Sequence, residues 1–70
     1  MTQLELLRRQ RGLRQADLAE MAGVQQSTIS RMERGEGGTV SNALRVSKAL
    51  GASVEDVFGD LVSDAHPKAA

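Results

Sequence analysis

Seventy residues with no cysteine, tryptophan or tyrosine and a single phenylalanine make one domain at most; they exclude a disulfide scaffold and thiolate metal sites, and they lack the aromatic platforms on which single-strand and RNA binders stack bases. Nine basic residues balance nine acidic ones, but residues 1–48 hold eight of the basic residues against five acidic, a net of +3, while residues 49–70 hold Lys68 against Glu55, Asp56, Asp60 and Asp64, a net of −3. Binding answers to the potential of one face rather than to the total, so the even balance does not exclude an anionic partner for the basic segment.

No apolar run approaches membrane-spanning length and no basic-then-apolar leader opens the chain, so a cytoplasmic protein, complete as given and without a membrane partner, is expected. A core of this size supplies roughly 3–5 kcal/mol, which makes a partner subunit an expectation too.

Thr2-Gln3-Leu4-Glu5 has the form of a capping box, in which the hydroxyl accepts from a first-turn amide and Glu5 reaches back. Leu4, Leu7, Arg8 and Arg11 then share one helical stripe. Arg8 thus lies inward beside two leucines, where a guanidinium needs an anionic partner. Gly12 ends this helix and Leu13 folds back on it.

A second helix is predicted from Gln15 to Ala22, with Gln15, Leu18, Ala19 and Ala22 on one face and Ala19 small enough to admit a neighbouring helix. Gly23 stands where a helix closes in the left-handed conformation. Val24-Gln25 completes the turn, and a third helix runs to about Arg34. Its inward residues are Ile29, Met32 and Glu33, the last being the expected partner of Arg8. Ser27, Ser30, Arg31 and Arg34 form its outward stripe.

Glu36-Gly37-Gly38 reads as a loop, and Thr39 as the cap of a fourth helix with Ala43, Val46, Ser47 and Leu50 inward, closed by Gly51. Ser53-Val54-Glu55-Asp56 opens a fifth helix carrying Val54, Val57, Phe58 and Leu61 at helical spacing, weakened by Gly59. Asp64 to Ala70, with Pro67, is predicted to be a frayed tail. The fold class is all-α: a compact five-helix domain over residues 1–60, followed by a short extension over 61–70.

From Gln15 to Gly35 a short helix, a glycine-containing turn and a second helix with one polar face follow in order. That is the layout of a helix-turn-helix at helices 2–3, in which one helix spans the phosphate backbone and the next enters the major groove. Groove edges offer donors and acceptors, so the exposed face must bear amides, hydroxyls and guanidinium groups; Gln26, Ser27 and Arg31 supply them. Amides at a helix N-terminus favour a phosphate, and Arg14-Gln15 opens the second helix.

The run Gln15-Ala-Asp-Leu-Ala-Glu-Met-Ala-Gly-Val-Gln-Gln-Ser-Thr-Ile-Ser-Arg-Met-Glu-Arg-Gly35 resembles the Cro and phage-repressor (XRE) type of helix-turn-helix domain. The resemblance extends without a gap from about Leu4 to Phe58; Ser27 to Gly35 is its most specific piece, and Ala-Leu-Gly at 49–51 supports it. It implies a lambda-repressor-like fold and a sequence-specific, repressor-like regulator of transcription that binds double-stranded DNA. By the same resemblance Gln26, Ser27 and Arg31 read base edges, with Gln25 at the margin. Gln15 binds phosphate and braces the recognition helix, and Thr28, Arg34 and the loop around Gly38 and Thr39 lie near the backbone. Arg8 and Glu33 match a pair that links the first helix to the third in some members.

Some positions depart from the family pattern. Arg14 stands where Ser or Thr commonly caps the second helix, so that cap is expected to be lost unless phosphate or solvent replaces it. Ala43, Ser47 and Ala52 replace the usual residues and thin the core near the fourth helix.

Phe58, Leu61 and Val62 either finish the core of the monomer or form the interface of a homodimer on a near-palindromic operator. His66 is the single histidine, and no Ser/His/Asp or Cys/His set exists, so no catalysis, metal or cofactor is expected. The competing functional class is a helical protein-interaction module or an antitoxin component. The dozen or so residues after the domain leave a toxin-binding segment little room.

Overall fold

A computed structural model of the chain describes residues 1–36 and 38–62, and for residues 60–62 the main chain only. The expected tail from Asp64 to Ala70, Gly37 of the expected loop, and the side chains of Leu61 and Val62 lie outside the described residues. Among those described, all regular structure is helical, in five elements: α1 (Gln3–Gln10), α2 (Gln15–Ala22), α3 (Gln26–Glu33), α4 (Val40–Leu50) and α5 (Val54–Val62).

Local chemistry marks where α1, α2, α4 and α5 begin, whereas α3 follows Gln25 without a side-chain cap. Thr2 is extended, and its Oγ1 accepts from the Glu5 amide at 3.3 Å, satisfying one of the orphan donors of the first turn. The second half of the expected box does not form here, because Glu5 accepts from Arg9 Nη2 at 2.8 Å, a charged donor one turn further along the same face. Thr39 Oγ1 accepts from the Asn42 amide and Ser53 Oγ from the Asp56 amide, both at 3.0 Å, so α4 and α5 start at side-chain caps.

At α2 the cap is turned around. Arg14 has no acceptor to offer, and the carboxylate of Asp17 instead accepts from the Arg14 amide at 2.9 Å and from its guanidinium at 3.1 Å. The first-turn amides therefore have no side-chain cap, as expected, and what remains is the reciprocal half of the box, from Asp17 to the Arg14 amide. α2 closes at Gly23, whose φ of 73° lies in the left-handed region, while the Val24 amide donates back to the Ala19 carbonyl at 3.0 Å.

α2 packs against both α3 and α4, while α1 lies across α3 and α5 and α4 also meets α5. The core between them is Leu4, Leu18, Ala19, Ala22, Ile29, Met32, Val46, Leu50, Val57 and Phe58, with at least one contributor from every helix. Leu7, Leu13, Val24, Ala43, Ala49, Ala52 and Val54 pack around it half-buried. Phe58 is 7 % exposed, which removes it from the candidates for a dimer surface. It follows Val57 on the buried side of α5, the helix that meets α1 and α4. Ser47 is buried in α4, and its hydroxyl has no hydrogen-bond partner among the described residues.

Candidate nucleic-acid interface

α3 is fixed from behind. Ile29, Met32 and Glu33 are its buried residues, and Glu33 accepts from two other helices. Arg8 of α1 donates through Nε to Oε2 at 2.5 Å and through Nη2 to Oε1 at 3.2 Å. Gln15, the first residue of α2, donates from Nε2 to Oε1 at 3.0 Å. The third donor of Arg8, Nη1, is spent on the Leu13 carbonyl at 2.7 Å, so the guanidinium is matched on every side that faces the core.

The hydrogen bond to Glu33, reinforced by its charge, holds the Arg8 guanidinium above the ordinary arginine range against the opposing effect of burial. A further tie comes from Thr2 Oγ1, which donates to the Glu33 main-chain carbonyl at 2.9 Å. The base of α3 is therefore held by side chains from α1, α2 and the cap before α1.

The opposite face of α3 is open. Gln25, Gln26, Ser27 and Arg31 are all exposed, and among the described residues none of the four side chains makes a hydrogen bond or ion pair. Gln25 is the extended residue before the helix, Gln26 and Ser27 stand in its first turn, and Arg31 one turn later. Two amides, a hydroxyl and a guanidinium are thus presented from one short helix with their hydrogen-bonding capacity unspent.

A cleft of about 160 Å³ runs from this face to the start of α4, lined by Thr28, Arg31, Met32, Glu36, Gly38, Thr39 and Asn42. It gathers Thr28, Arg31, Gly38 and Thr39, which the sequence singled out separately. It also contains two residues that sequence reasoning passed over. Asn42 was findable, since it stands three residues after the capping Thr39, where a side chain shares the end of the helix with the cap. Glu36 carried no signal beyond its place in a loop.

Gly38 has φ 105°, and a Cβ there would stand 3.2 Å from Met32 Cγ. The loop main chain thus rests directly on a core side chain, which only glycine allows.

The remaining positions are engaged within the fold. Arg14 is exposed and paired with Asp17, which holds the guanidinium above its ordinary value and the carboxyl below its own. Arg34 follows α3, its Nη1 donating to Ser30 Oγ at 2.7 Å and its Nε and Nη2 to Glu36 at 3.2 and 3.4 Å. Among the described residues there is no cluster of side chains that could hold a metal ion, and no helix is long and apolar enough to cross a membrane.

A comparison with curated proteins finds no match, and neither does one with solved structures. A family model described as helix-turn-helix matches residues 4–57, which spans α1 through α4 and the first turn of α5. The chain belongs to the Cro/C1-type helix-turn-helix family, the XRE family of DNA-binding transcription regulators.

Proposed function

We propose that this protein recognises a specific double-stranded operator by laying α3 in the major groove, and that it does so as a homodimer acting in a repressor-like manner. The observation that carries the reading is the contrast between the two sides of α3: one fastened by Glu33, the other presenting Gln26, Ser27 and Arg31, whose side chains make no hydrogen bond or ion pair among the described residues. Base edges take bidentate guanidinium and amide contacts, and Arg31, Gln26 and Ser27, with Gln25 at the margin, are the groups to make them. Arg14 and Gln15 at the start of α2, Thr28 within α3, Arg34 at its end, and Gly38 and Thr39 before α4 would meet phosphates, and the first-turn amides of α2 and α4 favour an anion. The structural pair Arg8–Glu33 takes no part except by holding α3 at its angle.

Dimerisation follows from information content. One short helix reads only a few base pairs, whereas two copies on one face of the duplex, roughly 34–36 Å apart, read a near-palindrome. The division of charge fits that geometry, with the net +3 segment toward DNA and the net −3 segment away from it.

The test is duplex binding across a salt series together with selection of bound duplexes from a random pool. A steep fall of affinity with salt, as releasing phosphate-bound counterions gains less entropy, and enrichment of a near-palindrome are expected. A flat salt response without enrichment would overturn the proposal in favour of a protein-interaction module.

A further inference from the structure

The Arg34–Glu36 pair stands beside the open face of α3, in the loop that leads to α4. Glu36 is the single carboxylate among the residues lining the cleft. Its side chain is 59 % exposed and its main-chain amide is anchored to the Arg31 carbonyl at 2.8 Å, which ties the backbone at Glu36 to the end of α3. Arg34, also exposed, meets Glu36 through two nitrogens while a third is taken by Ser30. As the protein stands free, this cation is neutralised by its own chain, and the cleft that Arg31 and the start of α4 would make attractive to an anion holds a negative charge.

We infer that Glu36 is a built-in competitor of the DNA backbone, and that docking requires Arg34 to exchange this carboxylate for a phosphate. The inference rests on the DNA-binding role proposed above and deepens it, naming a residue that limits affinity rather than adding to it. The physics sets the scale. An exposed ion pair is weak, so breaking it costs little. The larger effect is that a neutralised arginine releases no net counterion on docking and that a fixed carboxylate repels the incoming phosphate. Both effects are independent of base sequence.

The experiment compares wild type, Glu36→Gln, Arg34→Ala and the double variant on two probes, a duplex selected from a random pool by the wild type and a random-sequence duplex, across a salt series. Glu36→Gln keeps the shape and the main-chain anchor, and its helical circular dichroism should equal that of the wild type. It should bind both probes roughly threefold to tenfold more tightly, with a salt slope steeper by about one. Adding Arg34→Ala should abolish most of that gain, although Arg34→Ala alone changes the wild type less. Unchanged affinity for Glu36→Gln would overturn the inference. So would weaker binding confined to the selected duplex with relaxed preference at one base pair, since that result would make Glu36 an acceptor for a cytosine amine. If the wild type binds neither probe at any salt, the DNA-binding reading itself fails, which is a different and recognisable result.

Discussion

Gln15 Nε2 lies 3.0 Å from Glu33 Oε1, so the first residue of the helix that precedes the turn is fastened to the last residue of the helix that follows it. Glu33 also takes two bonds from Arg8. Removing Arg8 or Glu33 alone leaves the other charge buried without its partner, and each single replacement should destabilise by about 3–5 kcal/mol. Replacing both with apolar residues of similar volume should recover much of the loss, as read by denaturant titration. Additive single effects would show that the pair is not coupled. Gln15→Ala, in contrast, should leave the fold largely intact and weaken operator binding by loosening α3.

The Arg31 side chain makes no hydrogen bond or ion pair among the described residues, so its replacement should cost the fold little. Arg31→Ala should weaken binding to the selected duplex by roughly 1–3 kcal/mol, with a much smaller loss on random duplex. Equal losses on both, measured at one salt concentration, would reassign Arg31 to phosphate.

Ser47 is 2 % exposed and its hydroxyl has no partner among the described residues. An unsatisfied buried donor costs about 1–3 kcal/mol, and alanine is the better helix former. Ser47→Ala should therefore stabilise by about 1 kcal/mol, a rise in Tm of roughly 4–8 °C for a domain of this size. A fall in Tm would show that the hydroxyl has a partner in solution.

Asp17 has its carboxyl held below the ordinary aspartate value by the Arg14 guanidinium first and the Arg14 amide second. A lowered pKa means that the contribution to stability is complete above the ordinary value of about 3.9 and is lost as pH falls through the lowered one. Thermal melts of wild type and Asp17→Asn should differ slightly at neutral pH, the pair being exposed, and converge at acid pH. A constant difference down to the lowest pH would contradict this account.

The five helices were legible because each carries its own punctuation: a Thr or Ser cap, a left-handed glycine, an apolar stripe. The pairing of Arg8 with Glu33 was legible for a related reason, since two charges on inward stripes each require an opposite charge nearby. The turned-around cap at Arg14 was not, because sequence habit looks for the acceptor at the capping position and Asp17 supplies it from the third residue of the helix. Phe58 was ambiguous by nature. A stripe of apolar residues looks the same in sequence whether it faces its own core or another molecule, and only the packing of α5 against α1 decides. Glu36 stayed invisible because its importance comes from facing Arg34 and Arg31 across a loop, a relation without periodicity.

With Phe58 assigned to the core, Leu61 and Val62 are the remaining positions of the proposed dimer surface. Leu61→Asp should give a monomer that keeps its helical circular dichroism and loses most operator affinity. Phe58→Ala should instead unfold the chain, with a loss of about 3–5 kcal/mol. Sedimentation of the wild type at micromolar concentration supplies the control. A wild-type monomer that binds a half-operator as tightly as the whole would remove the dimer from the proposal.

The division of α3 into a fastened side and an open side has a consequence for how such a protein changes over time. Ile29, Met32 and Glu33 hold the fold, while Gln26, Ser27 and Arg31 contribute almost nothing to it. Substitutions at those three outward positions are therefore nearly free of any folding penalty, since surface changes away from caps and networks stay within about 0.5 kcal/mol. With α3 reading base edges as proposed, that vocabulary could be rewritten without re-engineering the scaffold, and a new operator preference would lie only a few single-residue steps away.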